Sequence, residues 1–179
     1  IWNLCYKWAK NADHMYELAV DQNQPNFQAI GLTLKVYYMS ICTDMFGSVA
    51  YTEGLRGDEG ILKPHIDSQK EVYEAMMADL ETANSLYDPS QEMDDPTKDA
   101  IYAGDISKWK KFTNTLHLRL LMRVSGRNDA FTPTVGERIR TIIDDPTTYP
   151  VFTSNADNAT VKFSGTAIYY RNYFNTTTF

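Results

Sequence analysis

The stretch "LKVYYMSICTDMFGSVAYTEGL", residues 34–55, decides the fold. Its first half keeps apolar residues at helical spacing. Its second half breaks into small, polar and acidic residues. Phe27, Ile30, Leu34, Tyr37, Ile41 and Met45 recur at steps of three and four, which is one face of a helix over residues 26–46. Pro25 stands where a turn from a preceding helix belongs. Gly47 stands where a C-terminal cap wants a left-handed residue. Two acids, Asp44 and Glu53, bracket the exit from this helix.

Working outward, the pattern repeats on both sides. Leu4, Trp8, Ala12, Met15 and Ala19 predict a helix over residues 1–20. Ser68 and Glu71 form a capping box, each side chain accepting from the other's backbone N–H. Val72, Met76, Leu80, Ala83 and Tyr87 follow it at helical spacing, and Asp88 and Pro89 stop that helix. A fourth helix begins near Ser107 with the stripe Trp109, Phe112, Leu116, Leu120 and Val124, and Gly126 closes it. A fifth carries Ile139, Ile142 and Ile143, with Thr132 as cap, Pro133 in the first turn and Pro146 at its end. Residues 48–67 and 88–104 are long connections, a length that in compact domains marks specialised loops. Beyond Pro150 no helical pattern survives, and "ATVKFSG", residues 159–165, suits a short strand. The expected fold is mostly α: helical hairpins in an array with long loops. No repeat carries a tetratricopeptide consensus.

The 179 residues, 43% of them hydrophobic, suffice for one domain with a real core and at most two. A net charge of −6 and a pI of about 5.0 argue against a nucleic-acid binder or a basic membrane-surface protein. Cys5 and Cys42 sit at apolar positions of helical patterns and read as buried free thiols, without CxxC or metal spacing. No apolar run reaches the roughly 18 residues of a membrane span. The chain opens on Ile1 and stops in "NTTTF". Residues 1–179 are therefore expected to be a single helical domain cut at both ends.

Chemical motifs are sparse. His14, His65 and His117 form no metal-binding pair, and "SNADNAT" lacks the glycine and terminal glutamate of a calcium loop. That run reads as a turn held by side-chain-to-backbone hydrogen bonds. Glu92, Asp94, Asp95 and Asp99 could gather oxygens around calcium, but a solvated charge run is commoner. No cofactor is expected, with calcium the one candidate. No phosphate-binding glycine loop and no GxSxG occur. A glycosidase would need two acids roughly 5–9.5 Å apart, and Asp44 with Glu53 is the candidate pair. Asp44, in a last helical turn, can instead bond local backbone. Most of the 12 tyrosines and 3 tryptophans fall on apolar stripes. "IYYRNYFNTTTF", residues 168–179, differs. Tyr169, Tyr170 and Tyr173 lie beside Arg171 and Asn172, which places flat rings next to donors, the chemistry of a sugar site. Packing against absent parts of a longer protein is the competing explanation.

Four stretches together resemble one family. They are "LKVYYMSICTDMFGSVAYTEGL", "LKPHIDSQKEVYEAMMADLETA", "YAGDISKWKKFTNTLHLRLLMRVS" and "PVFTSNADNATVKFSG". In order and spacing they are similar to segments of the SusD/RagB nutrient-binding outer-membrane lipoproteins, over about residues 1–164. Ser48 and Ala50 depart from the family's usual Asp and Pro, and Ile66 from its usual aromatic. The resemblance implies helix pairs arranged like tetratricopeptide repeats. It also implies a binding protein without catalysis. Such a protein captures glycans, or peptides in some members, at the bacterial surface and works as a lid over a SusC-like TonB-dependent transporter. Membrane attachment would come from a lipid anchor missing from this chain. The resemblance places Trp8 and Asn11 in a region that contributes to sugar sites in some members, a core Trp and a packing Asn being the alternative. Trp109, Asn114, Arg119 and Arg123 read as structural, the arginines bonding loop carbonyls or burying an ion pair. Two other readings stand beside it: an all-helical glycoside hydrolase, and a helical-repeat scaffold for peptide or protein.

Overall fold

Five α-helices in chain order make up the scaffold of this computed structural model, which describes residues 1–91, 93 and 95–161. They are α1 (Trp2–Asp21), α2 (Pro25–Phe46), α3 (Gln69–Leu86), α4 (Ile106–Arg123) and α5 (Val135–Asp144). Each packs on the one before it, and α4 also reaches back to α2. This is the arrangement of stacked helical hairpins expected from the sequence. Among the described residues there is no strand, only an isolated antiparallel bridge between Val49 and Asp67. Of "ATVKFSG", residues 159–161 are irregular and the remainder lies outside the described residues.

The α1–α2 hairpin turns on Asn23, at φ 53, with Pro25 in the first turn of α2. Its interface is built from small residues. Ala9, Ala12 and Ala19 are buried on α1, and Gly31 on α2 has no room for a side chain: a Cβ there would lie 2.9 Å from the Ala12 carbonyl oxygen. The buried side of α1 is therefore Cys5, Ala9, Ala12 and Ala19. The predicted stripe is correct for Ala12 and Ala19, but Leu4 and Trp8 are exposed and Met15 is half-buried. Two apolar faces run along this helix, and only the small-residue face allows the close approach to α2.

Helix α2 is enclosed from two sides, so its burial exceeds a single stripe. Ala29, Ile30, Leu32, Val36, Met39 and Cys42 are all buried, whereas Leu34, Tyr37 and Ile41 are half-buried and Met45 is exposed. Val72, Met76, Leu80 and Ala83 of α3, and Tyr87 just past its end, are buried as predicted. Burying such a large apolar side chain is worth about 1.5–3 kcal/mol. The hydroxyls of Thr33, Thr113 and Tyr87 meet inside this core, with Thr33 Oγ1 2.7 Å from Thr113 Oγ1.

Helix ends follow their caps. Ser68 and Glu71 form the predicted box. For α5 the cap is Thr134 with Glu137, not Thr132, because only Thr134 has a glutamate three residues on to complete the box. Helix α4 ends at Arg123, before Gly126, and a 3₁₀ segment Ser125–Ala130 follows. Gly47 has φ 77 and ψ −113, a positive-φ backbone open to glycine, though not the left-handed helical cap predicted. Its N–H donates to the Thr43 carbonyl, and Thr43 Oγ1 donates to the Gly47 carbonyl at 2.6 Å.

Both long connections are pinned by acids that accept loop amides, Asp67 buried and Asp99 half-buried. Asp67, 4% exposed, accepts from the amides of Tyr51 (2.8 Å) and Thr52 (2.9 Å) and from Thr52 Oγ1. Burial pushes its carboxyl up, but these bonds from Thr52 and Tyr51 outweigh it and hold the carboxyl below its ordinary value. Ala50 is buried there and offers its carbonyl to the Tyr6 hydroxyl, while Ser48 and Ile66 are exposed. In the second connection Asp99 accepts from the amides of Ile101, Tyr102 and Gly104 and from Trp109 Nε1 at 2.8 Å. The "SNADNAT" turn is held by side-chain-to-backbone bonds as predicted, with Asp157 accepting from Thr153 and Ser154 amides and from Lys111.

Candidate ligand-binding face

The outward face of α1 carries Ile1, Leu4, Trp8, Asn11, Met15 and Leu18 at steps of three and four. It lies about a quarter turn from the small-residue face that packs on α2, so Trp8 sits at the edge of that contact. Trp8 is 42% exposed, and its ring centroid lies 5.4 Å from that of Tyr38 on α2, tilted by 46°. Tyr38 continues into Tyr37 at 5.5 Å, Tyr37 into Phe112 at 6.0 Å, and Phe112 stacks on Phe152 at 6.2 Å. A line of half-buried rings thus runs from α1 across α2 to α4. Burial, with Tyr37 adding to it, raises the Tyr38 hydroxyl above its ordinary pKa, so it stays a neutral donor.

One turn beyond Trp8, Asn11 opens onto a cleft of about 520 Å³. Met15, Leu18 and Phe27 give it apolar lining. His14, Gln22 and Gln24 add polar groups, and Asp95 and Lys98 enter from the second long connection. An apolar floor with a few convergent donors and acceptors is what a small-molecule site requires, and this volume falls within the usual range. A ring such as Trp8 can stack on the apolar face of a pyranose while the Asn11 amide reaches a hydroxyl. Trp8 and Asn11 are thereby brought together on an exposed face, and Trp8 is not a core residue. Tyr169, Tyr170, Arg171 and Tyr173 lie outside the described residues.

The sequence does not single out Tyr38, Phe27 or Lys98 for a ligand face, and it offers Asp95 only as a calcium candidate. Periodicity ranked Phe27 as core, and nothing local links residues 95 and 98 to α1. The signal that could have found the face was Asn11, a polar residue within an otherwise apolar heptad stripe.

The remaining singled-out residues hold structure. Asp44 does not bond local backbone. It accepts from the Tyr73 hydroxyl at 2.6 Å and from Arg123 Nη2 at 2.7 Å. Glu53 accepts from the His65 amide at 2.8 Å. Arg123 therefore makes an ion pair, but at the surface, and Arg119 lies over the Tyr37 ring at 5.7 Å with no carbonyl partner among the described residues. Asn114 donates to Asn84 Oδ1 and to the Pro150 carbonyl. His117 is 2% exposed, and burial, with Arg138 adding to it, lowers its pKa to about 4, so it is neutral near pH 7. The half-exposed Glu81 carboxylate, 3.5 Å away, does not offset that burial. Among the described residues no group of three His, Cys, Asp or Glu side chains is arranged to hold a metal. Asp95 and Asp99, from the run weighed for calcium, accept from loop amides, and Glu92 and Asp94 lie outside the described residues. Among the described residues no helix is long and apolar enough to cross a membrane.

A family model described as "Starch-binding associating with outer membrane", SusD-like, matches residues 1–178. Among solved structures, a SusD homolog from Bacteroides fragilis is 31% identical with a TM-score of 0.77, over 89% of this chain and 33% of that one. An outer-membrane protein from Bacteroides vulgatus, whose name ties it to nutrient binding, is 27% identical with a TM-score of 0.79, over 91% of this chain and 34% of that one. A SusD homolog from Bacteroides uniformis is 28% identical with a TM-score of 0.76, over 89% and 31%. This chain spans about a third of the length of these proteins. None of the curated proteins matches it.

Proposed function

The chain belongs to the SusD-like family of outer-membrane-associated starch-binding proteins, and from that premise we propose that it is part of a surface protein that captures glycan for uptake. The observation that carries the reading is the exposed Trp8 ring, backed by Tyr38 and followed by Asn11 at the mouth of the cleft. Trp8 supplies the stacking surface and Asn11 a directional hydrogen bond. The cleft beyond them takes the next part of the oligosaccharide. Tyr169, Tyr170, Arg171 and Tyr173 are a second set of candidates, on the chemistry of their side chains alone.

In this reading the helical array is a scaffold and the chain has no catalytic part. Asp44 and Glu53 are each committed to structural partners, which disfavours the hydrolase alternative. Bound glycan passes to a SusC-like TonB-dependent transporter, and the whole protein is a lipoprotein held at the cell surface by an anchor on its N-terminal side. Affinity at one site is modest and gains from repeated sites on a long polymer. Calorimetry of the full-length protein against soluble polysaccharides, starch first, tests the proposal. Heat that saturates supports it, and no heat with any glycan, alongside retention of a peptide or protein ligand, replaces it with the scaffold reading.

A further inference from the structure

Cys5 on α1 and Cys42 on α2 are 2% and 0% exposed and belong to the same core cluster. They also face each other. The antiparallel register of the two helices sets Trp2 against Phe46, with ring centroids 5.1 Å apart, and Trp8 against Tyr38, at 5.4 Å. Cys5 and Cys42 fall between those pairs in the same register, and the Cys5 thiol is near enough to add to burial in raising the Cys42 thiol. Ala9 and Gly31 keep the helices close enough for two short side chains to meet. Among the helices α1 packs on α2 alone, so this seam holds the ligand-bearing face in place.

We propose that Cys5 and Cys42 are a matched pair that closes to a disulfide, fastening α1 to the scaffold when the protein meets an oxidising dithiol–disulfide donor. One cysteine loses its proton and attacks the donor disulfide, releasing one donor thiol and leaving a mixed disulfide. The second cysteine, deprotonated in turn, displaces the other donor sulfur. The Cys5–Cys42 bond forms, the donor is reduced to two thiols, and these carry away both protons. Burial raises the Cys42 thiol to about 11, so exchange is slow once the core has closed and fast before it. The pairing stands on the α1–α2 register. It rests on the proposed surface location only for the supply of the oxidant, which the experiment provides directly.

The test uses the full-length protein in two arms, folded and refolding, each exposed to oxidised glutathione in mildly alkaline buffer. Samples are acid-quenched, unfolded, labelled with N-ethylmaleimide and mapped by mass spectrometry. The expected product is a linked peptide pair containing Cys5 and Cys42, lighter by two hydrogens and unlabelled, with the refolding arm faster. The linked protein is expected to melt roughly 5–10 °C above the reduced one. Cys5→Ser serves as control and yields no link to Cys42. Full labelling of both cysteines in both arms, stable glutathione adducts on either, or a link that leaves the midpoint unchanged or lower overturns the inference.

Discussion

Arg123 Nη2 on α4 donates to Asp44 Oδ2 on α2 at 2.7 Å, while the Tyr73 hydroxyl on α3 takes the other oxygen at 2.6 Å. One carboxylate at the end of α2 thus joins three helices. The acid that sequence reading paired with Glu53 for catalysis is occupied in tying the helical array together.

That arrangement gives the first prediction. Asp44→Asn keeps an acceptor for Tyr73, and its ion pair is exposed to solvent, where such pairs contribute little. Asp44→Asn and Glu53→Gln should leave glycan binding unchanged by calorimetry. Neither wild type nor variants should release reducing ends from polysaccharide. Reducing ends from wild type that vanish in the variants would revive the hydrolase.

Gly31→Ala tests the close seam. The added methyl would lie 2.9 Å from the Ala12 carbonyl and the Tyr16 Cβ, too near for either to stay in place. Pushing α1 from α2 should cost roughly 1–3 kcal/mol in urea unfolding. It should also weaken glycan binding, because Trp8 and Tyr38 sit on opposite sides of that seam.

His117 makes stability depend on pH. Its folded pKa is about 4 against an ordinary 6.5, so the unfolded chain takes up the proton first. Stability is therefore complete above about pH 6.5, falls as pH drops toward 4, and levels off below it. The change across that window is about 3 kcal/mol. His117→Leu should flatten this part of the profile of midpoint against pH, and an unaltered slope would count against a buried neutral imidazole.

Asp67→Ala removes the acceptor of three donors that close the loop after α2. Leaving the buried Tyr51 amide and the part-buried Thr52 amide unpaired should cost roughly 2–4 kcal/mol, with Asp67→Asn losing less. Because the carboxyl is held below its ordinary value, its contribution is full above the usual carboxylate range and is lost as pH falls through the lowered folded value. Urea unfolding of wild type and both variants near neutral pH checks the ranking.

Most of the scaffold was legible because it rests on local rules. The Ser68–Glu71 box, the α3 stripe and Pro25 each place an element from neighbours in sequence. The alternation of helices with connections gives the array, and the resemblance adds its likeness to tetratricopeptide repeats. What stayed hidden depended on choosing between two faces of one helix. In α1 both faces are apolar, and the stripe read from spacing takes Leu4 and Trp8 in place of Cys5 and Ala9. Packing favoured the small residues, because only they let α2 approach to the distance that Gly31 permits. Trp8 and Asn11 reached the site by resemblance, while Tyr38, Phe27 and Lys98 join them only through contacts between distant segments. Thr132 and Thr134 show the same limit on a smaller scale: either could cap α5, and the glutamate at 137 decides.

The central claim is that glycan binds at the outer face of α1, and titration of Trp8→Ala tests it most directly. Full-length wild type and variant would be titrated by calorimetry with the polysaccharide that gives heat, with circular dichroism showing both folded. The account predicts at least a tenfold loss of affinity, about 1.4 kcal/mol or more, with a smaller loss for Asn11→Ala. Undiminished binding by a folded Trp8→Ala protein would contradict it.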